Sequence, residues 1–167
     1  MNDWKLPWEG GCRCGQVRLQ ITAPPMVTLA CHCSGCQRMS GSAFSLSILL
    51  PSDSFQVTQG EPVIGALHGP VRHFYCPHCM SWMFNRPPGM DVIVIVRATT
   101  LDDPSWFWPF IETSTREKLP WASTPAVHSF EAFPDPADYG PLMKEFAERF
   151  WEGFNPRGKA PAKAPGA

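Results

Sequence analysis

Along most of the chain, apolar and polar residues alternate with the period of strands. Val17, Leu19 and Ile21 alternate with Arg18 and Gln20, the pattern of a half-buried strand. Pro24-Pro25 marks a turn, and Val27 and Leu29 begin a second short strand that delivers the chain into Cys31. A hairpin of these two strands would bring the cysteines at its two ends together. Phe44, Leu46 and Ile48 alternate with Ser45 and Ser47, predicting a third strand, and Phe55 to Thr58 predicts another, closed by Gly60. The chain then runs through Pro62, Gly65 and Gly69-Pro70 without a pattern. Arg72 to Tyr75 leads extended into Cys76-Pro77-His78-Cys79 and Trp82 to Phe84 leads out, so this knuckle caps a hairpin. Asp91 is followed by five consecutive β-branched residues, Val92 to Val96, which predict a strand buried on both faces.

Only one segment has helical period. Asp138-Tyr139-Gly140-Pro141 resembles a helix start, with proline in the first turn. Leu142, Phe146 and Phe150, with Met143 and Ala147, then form one apolar stripe. Trp106, Phe107, Trp108 and Phe110 make a dense aromatic patch, read as core or as a lid over a sheet. With 44% hydrophobic residues, 19 prolines and 13 glycines in 167 residues, the chain suits one loop-rich, mainly β domain large enough for its own core. Its organisation is expected to be an N-terminal arm over residues 1–9, with Trp4, Leu6 and Trp8 folding back on the body. A single β domain with a C-terminal helix follows over 10–153, and a disordered tail over 154–167, where only Pro, Ala, Gly and Lys follow Arg157.

Charge narrows the partners. A net charge of −1 provides no basic field for phosphate backbones, so nucleic acid is not expected. No stretch reaches the length of a membrane span, and Met1 to Gly10 lacks the basic start and apolar run of a signal peptide. The expected location is cytoplasmic.

In a reducing cytosol the seven cysteines point to metal, and an odd number cannot pair off completely within the chain. They fall into Cys12-Arg13-Cys14, Cys31-His32-Cys33-Ser34-Gly35-Cys36, and Cys76-Pro77-His78-Cys79. Zinc favours thiolates, and each knuckle closes a small chelate ring. Cys12, Cys14, Cys76 and Cys79 would make a complete four-sulfur site, leaving Cys31, Cys33 and Cys36 with a second zinc and one vacancy. Four protein ligands usually mark a structural zinc and three a site open to water or substrate. Three thiolates make an electron-rich zinc, better matched to binding an incoming thiol than to making hydroxide. Spacing alone does not decide which clusters share a metal. His32, His73 or His78 could complete the ligand set, and a redox role for Cys76 and Cys79 lacks the βαβ pattern that would accompany it.

These residues resemble the glutathione-dependent formaldehyde-activating enzyme family, also described as the CENP-V/GFA domain. The likeness lies in Gly11-Cys12-Arg13-Cys14-Gly15-Gln16-Val17-Arg18, in Cys31 to Arg38 with Ser40-Gly41, and in Tyr75-Cys76-Pro77-His78-Cys79. Leu101-Asp102-Asp103-Pro104 and Lys118-Leu119-Pro120-Trp121 extend it, so that it covers residues 10 to 133. The resemblance implies an Mss4-like fold of antiparallel β-sheets around a structural zinc at Cys12, Cys14, Cys76 and Cys79. It also implies a catalytic zinc at Cys31, Cys33 and Cys36, where glutathione would add to formaldehyde or another small aldehyde to give S-hydroxymethylglutathione, a carbon–sulfur lyase activity. Two departures are visible. Met80 follows the last cysteine where the family usually has glycine, and Phe110 precedes Ile111 where many members have histidine.

Other residues stay open on the sequence alone. His32 could donate to a sulfur or a substrate, or simply shield the metal. Arg38 could meet a carboxylate of a glutathione-like ligand, or be a solvated arginine. Ser40, Gly41 and Ser42 could offer N–H groups to an anion or form a polar turn. Glu112, Asp102 and Asp103 show no pairing that marks a general acid or base. A non-catalytic zinc module that carries a thiol or contacts a protein, and a homodimer through the tryptophan-rich patch and terminal helix, are the alternatives.

Overall fold

The computed structural model describes residues 5–65 and 69–151, with the backbone alone at 150 and 151. The expected tail at 154–167, the start of the arm and the side chain of Phe150 lie outside these residues. The chain is mainly β, with eleven strands among the described residues. A three-stranded sheet holds β1 (Trp8–Gly11), β2 (Arg18–Ile21) and β5 (Phe55–Gln59) in the order β1-β2-β5.

The larger sheet contains β3 (Val27–Cys31), β4 (Ser45–Pro51), β6 (Val63–Gly65), β7 (Arg72–Tyr75), β8 (Trp82–Arg86), β9 (Ile93–Arg97), β10 (Ile111–Thr113) and β11 (His128–Ser129). Its order is β11-β10-β3-β4-β9-β8-β7-β6. Pairing is antiparallel throughout except at β10, which runs parallel to β3 and β11. Two α-helices complete the fold among the described residues: α1 (Ser34–Ser40) and α2 (Tyr139–Phe146), the latter running into a π turn at Ala147–Trp151.

Strand alternation sorts the side chains onto two faces of the large sheet. Ile48 and Leu50 of β4, Val94 and Val96 of β9 and Phe84 of β8 meet Leu19 and Ile21 of β2 and Phe55 of β5. Each such side chain contributes about 1.5–3 kcal/mol on burial, and together they make the core between the sheets. On the opposite face Val27, Leu49, Phe110 and Ile111 are covered by Leu142 and Phe146 of α2, two members of the stripe expected there. The aromatic patch divides between these cores, with Trp106 and Phe107 in the first and Trp108 and Phe110 in the second. Trp8 stacks on Trp106 at 4.3 Å, so β1 begins within the stretch expected to be an arm.

Three expectations change. β2 and β3 do not form a hairpin: β2 pairs with β1 and β5, whereas β3 pairs with β4 and β10. The Ala23-Pro24-Pro25 link, two of whose residues have no N–H to give, is a crossover between sheets, anchored by Thr22 N to Ser54 O and Met26 N to Leu49 O. The β-branched run is displaced, because Asp91 and Val92 form a turn and Val92 is 76% exposed, while the strand continues to Arg97. α1 replaces the polar turn expected after Cys36. It shows no apolar stripe, and is held instead by the Cys33 cap and by Gly41 in the left-handed conformation, φ 61°. The N–H groups of Gly41 and Ser42 both donate to Gln37 O, so neither is offered to an anion.

Candidate metal centres

Seven free cysteines gather into two groups, and in each group the sulfurs lie within 4.8 Å of one another. The first joins Cys12, Cys14, Cys76 and Cys79, residues brought from opposite sheets. Cys12 and Cys14 follow β1 in the turn before β2, and Cys76 and Cys79 lie in the β7–β8 turn. Cys12 Sγ is 3.5 Å from Cys14 Sγ, which is 3.7 Å from Cys76 Sγ. Four sulfurs arranged tetrahedrally about an ion at ~2.3 Å would be roughly 3.8 Å apart, so the set fits a metal such as zinc.

Local hydrogen bonds favour anionic sulfur at Cys12 and Cys79, while the neighbouring cysteines help push Cys14 up. Val17 N donates to Cys12 Sγ at 3.2 Å. The Ser81 hydroxyl holds the Cys79 thiol down near 5, and the same hydroxyl accepts from Arg13 N at 3.1 Å, tying the two knuckles together. Met80 takes φ 57°, so the family's usual glycine is replaced where a left-handed residue is needed.

The second group is Cys31, Cys33 and Cys36. Cys31 ends β3, Cys33 caps α1 and Cys36 lies in its first turn. The cap turns Cys33 Sγ toward the helix, where it accepts from Cys36 N at 3.4 Å. Cys31 and Cys36 are buried and Cys33 is half-buried, so solvent reaches the cluster past Cys33. Hydrogen bonds from Cys33 and Cys36 favour the Cys31 thiolate, while the hydrogen bonds of Cys36 to Cys31 and Cys33, with burial, push Cys36 up.

No histidine joins either group among the described residues. His78 is exposed and His73 is buried against Trp82. His32, wholly buried, has its Nε2 3.0 Å from Glu112 Oε2. An ionised carboxylate only accepts, so Nε2 carries a proton directed at Glu112.

Sequence reasoning did not assign Glu112 a role, yet its carboxylate is the hub beneath this cluster. Lys118 Nζ donates to both of its oxygens at 3.1 and 2.9 Å, Thr124 Oγ1 at 2.7 Å and Ser129 Oγ at 3.0 Å. Burial works to raise its pKa, but these donors together with His32 outweigh it and hold the carboxyl down near 2. The same loop reaches α1: Ser34 N donates to Glu117 Oε2 at 2.8 Å, and Gln37 Nε2 donates to His32 O and Glu117 O at 2.6 and 3.0 Å. Asp102 pairs in bidentate fashion with Arg18 at the surface. Arg38 is exposed on α1. No helix among the described residues is long and apolar enough to cross a membrane.

Residues 7–117 match the family model described as glutathione-dependent formaldehyde-activating enzyme. None of the curated proteins compared with the chain matches it. Among solved structures, the crystal structure of a Rhodobacter sphaeroides protein is similar, at 17% identity and a TM-score of 0.47, over 56% of this chain and 87% of that one. Since the family match spans more than half of its residues and contains all seven cysteines, the chain belongs to the glutathione-dependent formaldehyde-activating enzyme family.

Proposed function

We propose that the chain is a zinc-dependent enzyme of carbon–sulfur lyase type that joins glutathione to formaldehyde or another small aldehyde, giving S-hydroxymethylglutathione. The observation that carries this reading is the difference between the two clusters. Cys12, Cys14, Cys76 and Cys79 form a complete set, while Cys31, Cys33 and Cys36 converge with no fourth ligand among the described residues, and Nε2 of neighbouring His32 pairs with Glu112. The first cluster is assigned a structural zinc and the second a catalytic one.

Zinc, when bound, would supply the positive charge that favours the thiolate form of an incoming thiol at neutral pH. The chain's own residues set the place and exposure of that event. Cys31 and Cys36 are the buried anchors, and half-buried Cys33 marks the side from which a thiol can arrive. His32 pairs with Glu112 through Nε2 and is not among the groups within 4.8 Å of these sulfurs, so among the described residues the fourth position is left for substrate. In the overall reaction the thiol sulfur forms a bond to the carbonyl carbon, the carbonyl π pair moves to oxygen, and the proton lost by the thiol ends on that oxygen. Seven free thiols suit a reducing compartment, and we assign the protein to the cytoplasm.

The test is glutathione binding to zinc-loaded protein by calorimetry, with the cobalt-substituted protein followed by absorption, and adduct formation followed by exchange NMR. Binding with a changed cobalt spectrum and accelerated adduct formation are expected. Absence of both binding and spectral change would end the proposal, and binding without acceleration would leave the thiol-carrying module in its place.

A further inference from the structure

Arg97 ends β9 inside the molecule, only 5% exposed. A guanidinium remains charged at neutral pH, and a buried charge is costly unless something answers it. Nη1 donates to Ser45 Oγ at 3.2 Å and Nη2 to Asn85 Oδ1 at 2.8 Å. The guanidinium lies over the Trp82 ring, 4.1 Å from its centroid, and Nε has no acceptor. These neighbours are neutral, and among the described residues no carboxylate pairs with Arg97.

The answering charge lies on the other side of Ser45. Strand register sets Ser45 opposite Cys31, and its hydroxyl favours the thiolate of Cys36. Having accepted from Nη1, that hydroxyl still has its own hydrogen to give to sulfur. Burial brings the Arg97 pKa down to about 10, and attraction from Cys36 and Cys31 opposes the fall. Tyr75 and Trp82 pack with Cys31 and Cys36, so aromatic rings border the space between cation and sulfurs. The four-cysteine group lacks this arrangement: Cys14 is exposed, and neighbouring Arg18 is at the surface in its pair with Asp102.

Three thiolates and a divalent ion sum to −1, and Arg97 would bring the buried assembly to zero. A thiolate as fourth ligand would then leave −1 where it would otherwise leave −2. We propose that Arg97 is the fixed counter-charge of the three-cysteine centre and sets its preference for an anionic fourth ligand, a thiolate, over neutral imidazole. It acts as a specificity-determining residue without touching the substrate. This inference rests on the reading of that cluster as a metal site with an open position.

The test uses the full chain loaded with cobalt, and compares mercaptoethanol with imidazole as ligands read from the cobalt absorption bands. With one hydroxyl between the guanidinium and the Cys36 sulfur, and a fourth ligand ~4 Å beyond that sulfur, the incoming charge would sit roughly 9 Å from Arg97. At an effective dielectric constant of about 20, removing the Arg97 charge corresponds to about twentyfold in affinity. R97Q is expected to weaken mercaptoethanol binding by about that factor and to leave imidazole binding within about threefold. R97K, which keeps the charge, is expected to keep the preference for thiolate even if folding yield falls. Equal losses for both ligands in R97Q, no loss for either, or an R97K protein without the preference would each overturn the proposal. Wild-type protein that binds mercaptoethanol but not glutathione would remove the glutathione reading and leave the role of Arg97 standing.

Discussion

Replacing Glu112 with glutamine removes one charge and almost no volume, so its cost measures the buried carboxylate itself. Four side chains donate to the two oxygens, and the group is held near 2 from an ordinary 4.5. By linkage that depression corresponds to roughly 3 kcal/mol of stability at neutral pH. The sign follows from a lowered folded-state pKa: the contribution is present in full above the unfolded value of about 4.5 and fades as pH falls toward about 2. The amide of E112Q would also direct hydrogens at Lys118, Thr124, Ser129 or His32, none of which accepts them well in this geometry. We expect E112Q to lower unfolding free energy by about 3 kcal/mol at pH 7, roughly 6–12 °C in Tm. Urea denaturation of both proteins at pH 7, 5, 3.5 and 2.5 is the assay, and metal release in acid, common to both, cancels in the difference. The gap should narrow below about pH 4.5, to under about 1 kcal/mol near pH 2.5. A cost below about 0.5 kcal/mol at pH 7, or a gap independent of pH, would refute the view of Glu112 as an ionised hub.

Met80→Gly should stabilise the fold by about 0.5–1 kcal/mol, since a side chain at φ 57° costs about 1–2 kcal/mol and glycine returns part of that as unfolded-chain entropy. Loss of urea resistance in this variant would contradict the strain assigned to the knuckle. Phe146→Ala, which empties a site against Phe110 under α2, should cost about 3–5 kcal/mol, and a calorimetric Tm within about 2 °C of the parent would show that α2 is not part of the core. Cys14→Ser and Cys33→Ser should each lose one metal per chain by elemental analysis. Only Cys14→Ser should lose most of its thermal stability, and only Cys33→Ser its response to glutathione; the reverse assignment would exchange the roles of the two centres.

How much of this was legible depended on whether a residue's partners are near it in sequence. The alternating strands, the β7–β8 knuckle and the Leu142–Phe146 stripe declare themselves locally, because period and turn residues encode them directly. The three cysteine knuckles were also readable from spacing, whereas which of them share a site was not decided by spacing alone. Glu112 was not, since its donors lie at 32, 118, 124 and 129 and only the parallel placement of β10 beside β3 gathers them. Arg97 was hidden by the apolar run before it, which suggested a strand ending at Val96; its continuation faces inward with Ser45 and Asn85 as partners. The β2–β3 hairpin failed because pairing between consecutive strands is a local expectation, whereas the burial of Leu19 and Ile21 between two sheets is a long-range demand.

The two cysteine groups also differ in how much chain must be ordered before they exist. Cys31, Cys33 and Cys36 are supplied by six consecutive residues, so one strand end and one helical turn suffice to assemble them. The contact between Cys14 and Cys76 closes a loop of 62 residues and spans both sheets. Closing that loop rather than a five-residue one costs about 2 kcal/mol more in chain entropy. A metal in the short motif therefore reports only that a local segment has formed, whereas a metal in the four-sulfur clip certifies that the two sheets have met in their final register.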